Sequence, residues 1–303
     1  HVGGVDDITF DSNQSAALLV YQRDNDAGSM FSSYQFTSGA LSGTSITWSG
    51  THTTLNSTSD SSSVIQPNVI SHQNGGGVAI GDFNNDSLQD IFFAGNLVSN
   101  KLYLNKGNLS FQDITEQSGL ESEGIWSTGV SVVDINSDGY LDIYVCKSGP
   151  PGGKRRYNEL FINNGDLTFT EKAKEYGLDN EGLSTHAAFF DYDKDGDLDC
   201  YLLNNTIRSI GIGIDLVKDL RLKGSDKGNK FLRNDDGKFV DVSDEVGIYT
   251  SEIGFGLGVT IGDLNLDGWQ DMYISNDFFE KDYLYINNQD GTFKESLEDY
   301  LSE

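Results

Sequence analysis

One nine-residue phrase recurs four times: DFNNDSLQD at 82–90, DINSDGYLD at 134–142, DYDKDGDLD at 191–199 and DLNLDGWQD at 263–271. The shared pattern is D-x-[DN]-x-D-[GS]-x-x-D. It sets oxygen-bearing side chains at positions 1, 3, 5 and 9 and a tight turn at position 6. A short loop of this kind wraps a hard divalent cation. Ca²⁺ takes six to eight oxygens at about 2.3–2.6 Å, from carboxylates, amide carbonyls and backbone carbonyls. Asp/Asn/Gly turns also occur without metal, but four in register are hard to explain that way. The expected cofactor is therefore Ca²⁺, about four ions.

The repeat extends beyond the loops. An apolar run precedes each one (GVAIGDF, GVSVVDI, AAFFDY, GVTIGDL) and another follows (DIFFAG, DIYVCK, DCYLLN, DMYISN). A third run carries its own signature: NKLYLNKG, NELFINNG, NKFLRNDDG and DYLYINNQDG. The fourth is LSFQDIT, LTFTEKA, GKFVDVS and GTFKESL. Short runs rich in Val, Ile, Phe and Tyr, divided by Asn-Gly and Asp-Gly turns, read as antiparallel strands. Four strands per unit, repeated radially, predict an all-β fold, a β-propeller of four-stranded blades. Loops starting at 82, 134, 191 and 263 are spaced by 52, 57 and 72 residues, and the differences fall between the second and third strands.

Strand direction places all four metal loops at one face. The connections GIWSTGV, GLSTHAA and IGFGLGV fall at the other, with Trp126, His186 and Phe255 as a candidate glycan platform, although side chains at such positions more often pack near the axis. Lys154, Arg155, Arg156, Arg208, Lys218, Arg221, Lys223, Lys227 and Lys230 also fall there.

Residues 1–72 are different material: they hold no Lys, no Glu and the single Arg23, and are rich in Ser and Thr. AALLVYQ, SSYQFTSG and SITWSGTHTTL still read as strands. The expected division is a β-rich segment, 1–72, as an extra blade, small β module or assembly arm, and calcium-binding propeller repeats, 73–303. The boundary loop is placed at SDSSSV.

The net charge of −27 argues against a nucleic-acid partner, because phosphate binding needs clustered Lys and Arg. No apolar run approaches the length of a membrane span. Cys146 and Cys200 sit at different offsets from their loops, so no disulfide framework is indicated. Weak multi-carboxylate sites fill where Ca²⁺ is near millimolar, which points outside the cell. The first residue is His1 and not Met, which a removed signal peptide or an arbitrary chain boundary would explain. Paired with His52, His72 or His186, a free N-terminal His could form a copper site, but no other local motif supports one.

GGGVAIGDFNNDSLQDIFF followed by NKLYLNKGNLSFQDITEQSGL resembles an FG-GAP/VCBS-type repeat, the unit of the integrin α-subunit propeller. WSTGVSVVDINSDGYLDIYVC, STHAAFFDYDKDGDLDCYLLNN and IGFGLGVTIGDLNLDGWQD are similar to the bacterial, cartilage acidic protein-like ASPIC/UnbV group. The resemblance covers about residues 68–303. It implies an extracellular or cell-surface calcium-binding propeller with binding, adhesive or matrix roles and no catalytic machinery. It also implies the ligands. The first loop would use Asp82, Asn84, Asp86, the Leu88 carbonyl and Asp90. The second would use Asp134, Asn136, Asp138, the Tyr140 carbonyl and Asp142. The third would use Asp191, Asp193, Asp195, the Asp197 carbonyl and Asp199. The fourth would use Asp263, Asn265, Asp267, the Trp269 carbonyl and Asp271.

Ser87 replaces the usual Gly at position 6, which predicts the first site as the weakest. Asp193 predicts the third as the strongest. The family usually carries about seven blades, against four clear repeats here. The expected function is an adhesion or matrix-type module for an extracellular protein or glycan. The alternative is a structural subunit that assembles with copies of itself into a filament, tube or layer. A polysaccharide-active enzyme is disfavoured, because no paired carboxylate stands out beyond the metal loops.

Overall fold

The computed structural model describes the backbone of residues 17–19, 32–42 and 45–54. It also describes residues 76–300 except 97, 123–125, 149–155, 206–220, 222–223, 252 and 278–279. The chain divides into two compact units, His1–Ile65 and Gln66–Glu303. In the first, β1 (Ala17–Leu19), β2 (Ser32–Ser42) and β3 (Ser45–Thr54) form an antiparallel three-stranded sheet. His1, His72 and the SDSSSV boundary lie outside the described residues, and His52 is described only as backbone of β3.

The second unit holds four four-stranded antiparallel sheets, each built from strands consecutive in sequence. The first comprises β4 (Val78–Gly81), β5 (Asp90–Phe93), β6 (Lys101–Asn105) and β7 (Phe111–Asp113). The second comprises β8 (Ser127–Val133), β9 (Asp142–Lys147), β10 (Glu159–Asn163) and β11 (Phe169–Glu171). The third comprises β12 (Leu183–Phe190), β13 (Asp199–Asn205), β14 (Lys230–Asp235) and β15 (Lys238–Asp241). The fourth comprises β16 (Gly256–Gly262), β17 (Asp271–Asn276), β18 (Tyr283–Asn287) and β19 (Phe293–Glu295). The all-β expectation therefore holds. The helices described within these repeats are single turns, such as Thr115–Ser118 and Ala173–Tyr176.

Each nine-residue phrase is clamped by a register pair. The residue before position 1 lies opposite the position 9 aspartate: Gly81 with Asp90, Val133 with Asp142, Phe190 with Asp199 and Gly262 with Asp271. At the other end, a polar residue just ahead of the third strand holds the end of the second. Asn100, Asn158, Asn229 and Asp282 accept the backbone N–H groups of Gly95, Lys147, Asn204 and Asn276.

The sheets pack face to face in chain order, and each interface is an apolar core shared by two neighbours. Ala79, Phe83, Phe92, Leu102 and Leu104 of the first repeat meet Val130, Ile143, Val145, Phe161 and Phe169 of the second. Tyr144, Cys146, Leu160 and Ile162 meet Ala187, Cys200, Leu202, Leu232 and Phe239. Phe190, Tyr192, Tyr201, Leu203 and Phe231 meet Met272, Ile274, Tyr283, Tyr285 and Phe293. The first strands of successive sheets, β4, β8, β12 and β16, touch in series. Burying each large apolar side chain contributes roughly 1.5–3 kcal/mol, so these three interfaces join the repeats into one unit.

The two outer faces of the series differ. On the first sheet Val78 is 57% exposed and Ile80 62%, whereas Val130, aligned with Val78 in the repeat, is 8% exposed. The fourth sheet presents Thr260, Tyr273 and Ser275 where the first has Ala79, Phe92 and Ala94. The first two strands are thus apolar on the outer side of the first sheet and more polar on the outer side of the fourth.

Candidate metal centres

Three of the four loops share one hydrogen-bond scheme. In the first, Asp82 Oδ1 accepts the N–H of Asp86 at 3.0 Å, and its Oδ2 accepts that of Ser87 at 2.7 Å. Asn84 Oδ1 shares the Asp86 N–H at 3.1 Å, and Leu88 N–H donates to Asp86 Oδ1 at 2.8 Å. Asp134, Asn136, Asp138 and Tyr140 repeat these bonds in the second loop. Asp263, Asn265, Asp267 and Trp269 repeat them in the fourth. The position 1 and position 3 oxygens thus converge on the turn. The position 7 peptide, which carries the expected carbonyl ligand, is tethered by its N–H to position 5.

The sharp turn depends on left-handed backbone. Position 6 has φ of +69° at Ser87, +87° at Gly139, +101° at Gly196 and +90° at Gly268. Position 4 is left-handed as well, at Asn85, Ser137, Lys194 and Leu266. The sequence signals the first requirement through glycine. It does not signal the second, because these four side chains have little in common.

The position 9 aspartates do more than the sequence suggests. Asp90, Asp142 and Asp271 are wholly buried and Asp199 nearly so. Each carboxylate spans two strands. Oδ2 accepts the N–H of the position 2 residue: Phe83, Ile135, Tyr192 or Leu264. Oδ1 accepts the N–H of an asparagine on the third strand: Asn105, Asn163, Asn234 or Asn287. These asparagines also donate through Nδ2 to the position 8 carbonyls of Gln89, Leu141, Leu198 and Gln270. They were missed as functional residues because Asn ahead of a turn reads as turn chemistry.

The third loop departs from the scheme. Asp195 N–H still reaches Asp193 Oδ1 at 3.2 Å, and Asp197 N–H reaches Asp195 Oδ1 at 3.1 Å. Asp191 Oδ1 and Asp197 Oδ1 are buried with no hydrogen-bond partner. Ligand oxygens of Asp191, Asp193 and Asp195 lie within 4.8 Å of one another, the one such group of three among the described residues. Burial pushes Asp197 up to about 6, and the charges of Asp195, Asp193 and Asp191 add to the shift. Burial likewise lifts Asp142 to about 6 and Asp199 to about 7, opposed by the backbone N–H groups that each accepts. Asp90 and Asp193 are raised for the same leading reason. Carboxylates whose charge is disfavoured by burial at Asp142, Asp193, Asp197 and Asp199, together with the orphaned oxygens of Asp191 and Asp197, fit a hard cation. The donor set is all oxygen, as Ca²⁺ requires.

Elsewhere the structure corrects expectations. Trp126 and Phe255 are 6% and 2% exposed, so they form no stacking platform. His186 is half-buried, which lowers its pKa. Arg221 pairs with Glu280 at 2.6 Å and Lys230 with Asp241, while Arg156 donates to the Glu181 carbonyl. The basic side chains described there are thus largely engaged within the fold, with Lys227 exposed. Lys154, Arg155, Arg208, Lys218 and Lys223 lie outside the described residues. Cys146 and Cys200 are free and buried. No helix among the described residues is long and apolar enough to cross a membrane.

The FG-GAP-like repeat matches residues 82–145 and 151–202. Cartilage acidic protein 1 of Xenopus tropicalis is 30% identical over 139 residues, 44% of this chain and 20% of that protein. The Mus musculus protein is 30% identical over 142 residues, and the Homo sapiens protein is 27% identical over the same length. The chain spans about a fifth of the length of these curated relatives. Among solved structures, a GH43 beta-1,3-galactosidase with galactodeoxynojirimycin is similar over 73% of this chain and 74% of that one. Its identity is 12% and its TM-score 0.38. Because that neighbour is a glycosidase, the expectation that the chain is not an enzyme is corrected. At this TM-score the likeness assigns the chain no activity. The repeats, by contrast, are shown: the chain carries FG-GAP-like repeats and is homologous over somewhat less than half its length to cartilage acidic protein 1.

Proposed function

We propose that this chain is an extracellular calcium-binding module, with residues 73–303 forming blades of a β-propeller and residues 1–72 a separate β-rich segment. The four loops hold Ca²⁺ through the side chains at positions 1, 3, 5 and 9 and the carbonyls of Leu88, Tyr140, Asp197 and Trp269. The observation that carries this reading is the third loop, where Asp191, Asp193 and Asp195 converge and Asp191 keeps an orphaned oxygen. Bound there, a divalent cation supplies charge neutralisation and multiple oxygen ligation. The chain's own groups do the positioning: backbone N–H groups orient the carboxylates, and the position 9 aspartate ties the loop to the second and third strands. Four sites of this kind fill at the calcium concentrations found outside cells. The partner is an extracellular protein or glycan.

A second reading, assembly with copies of itself, is favoured by the outer side of the first sheet, where Val78, Ile80 and Phe93 are exposed. Contiguous exposed apolar surface marks interaction sites. Titration calorimetry of EGTA-stripped protein with CaCl₂ tests the first reading, and about four sites are expected. No binding heat and no retained calcium would sink it. Sedimentation velocity across a concentration series separates the two readings. A monomer throughout favours the module, whereas association abolished by Ile80→Lys favours assembly.

A further inference from the structure

Asn163 and Asn287 do something that Asn105 and Asn234 do not. Beyond its bonds within the second repeat, Asn163 Nδ2 donates to the carbonyl of Phe83 at 2.8 Å. Phe83 is position 2 of the first loop, and its N–H is given to Asp90. A continuous chain therefore runs from Asp142 through Asn163 and the Phe83 residue to Asp90. The same chain recurs between the third and fourth repeats. Asn287 N–H donates to Asp271, its Nδ2 donates to the Tyr192 carbonyl at 2.8 Å, and Tyr192 N–H donates to Asp199. Between the second and third loops it is missing. Asn234 Nδ2 reaches only Leu198 within its own repeat, and no bond to Ile135 is formed.

Position 4 shows the same alternation independently. Asn85 Nδ2 of the first loop donates to the Gly139 carbonyl of the second at 3.0 Å. Lys194 Nζ of the third lies 4.1 Å from the centre of the Trp269 ring in the fourth. The corresponding residue of the second loop is Ser137, short and exposed, which makes no such contact with the third.

We infer that the metal loops are coupled in two pairs, first with second and third with fourth, through Asn163 and Asn287 acting as positioning residues. This rests on the calcium reading. An ion that orders one loop fixes its position 9 carboxylate and position 2 peptide. That peptide carbonyl is the acceptor that holds the partner's asparagine, and the asparagine's own N–H orients the partner's position 9 carboxylate. Filling one loop therefore preorganises its partner, while the second and third loops fill independently. Coupling is a free energy shared reciprocally by two sites, so either loop of a pair reports it.

Terbium binding tests the coupling. Trp269 stands at position 7 of the fourth loop, and luminescence lost in Trp269→Phe reports that loop. Signal lost in Tyr140→Phe reports the second. The probe is Tb³⁺ alone, on the full chain, and Asp195→Asn weakens the third loop while keeping its shape. Expected is at least about fivefold weaker Tb³⁺ binding at the fourth loop and less than about a twofold change at the second. In an Asn287→Asp background, which removes the donor, the fourth-loop effect falls below about twofold. A ratio is read, so any general weakening by Asn287→Asp cancels, which a merely structural role would not produce. If Asp195→Asn does not fold, Asp86→Asn with Asn163→Asp, read at Tyr140, tests the first pair in the same way. An unchanged fourth loop overturns the inference, as does coupling that persists in Asn287→Asp, or a second loop weakened equally. Binding at independent sites overturns the pairing alone, whereas no Tb³⁺ or Ca²⁺ binding overturns the calcium reading as well.

Discussion

Lys147 Nζ lies 2.7 Å from Glu159 Oε2, with the lysine side chain wholly buried. Lys147 also donates to Ser122 Oγ at 3.1 Å and Ser127 Oγ at 2.9 Å, and Ser122 Oγ donates to Glu159 Oε1. The pair sits at the ends of β9 and β10 remote from the metal loop and ties down the connection that enters the second sheet. Removing one partner of a buried pair leaves an uncompensated charge, which costs about 3–5 kcal/mol. Lys147→Met is expected to destabilise the protein by that amount in urea unfolding. The double variant Lys147→Met/Glu159→Gln should recover part of the loss.

Left-handed backbone at position 6 sets a second expectation. A Cβ added at Gly139 meets nothing within 4 Å, so Gly139→Ala tests conformation without crowding. It should cost about 1–2 kcal/mol of stability. Ser87 already carries such strain at φ +69°, and Ser87→Gly should stabilise by no more than about 1 kcal/mol, because glycine also loses more chain entropy. Chemical denaturation of both variants in EGTA checks the sign.

The raised carboxylates fix a pH dependence for the metal-free protein. Asp142 and Asp197 are held near 6 and Asp199 near 7, above the ordinary aspartate value of 3.8. The folded state therefore binds more protons than the unfolded chain between about pH 4 and 7, and its stability falls as pH rises through that window. Melting in EGTA should show a Tm that drops from pH 5 to pH 7.5. Calcium should flatten or reverse the trend, since it replaces the protons. A Tm that rises with pH in EGTA would contradict the assignment.

The sites should be unequal. Asp193 adds a carboxylate where the other loops carry asparagine, and Ser87 strains the first loop. Site-resolved titration is expected to rank the third loop tightest and the first weakest. Asp193→Asn should bring the third towards the second and fourth. A first loop that fills before the third would refute the ranking.

Much of this architecture is legible in the sequence because its signals are local. Alternating apolar runs give the strands, Asn-Gly and Asp-Gly give the turns, and the D-x-[DN]-x-D phrase gives the loops. What stayed hidden depends on tertiary partners. The two-strand clamp made by Asp90, Asp142, Asp199 and Asp271 needs the third strand in register before it exists. Asn163 and Asn234 hold the same position of the repeat, yet only Asn163 reaches the preceding repeat. For Trp126 and Phe255, strand direction gives a face without saying how deep they sit, which leaves both a platform and packing near the axis open in the sequence. Their burial is set by packing of neighbouring repeats.

Thermal unfolding in EGTA, set against unfolding in millimolar calcium, measures whether calcium staples the four hairpins. With calcium tenfold above Kd, each filled loop contributes roughly 1.4 kcal/mol. Expected is a Tm several degrees higher in calcium, with the increment reduced by Asp191→Asn. Superimposed melts with and without calcium would contradict it.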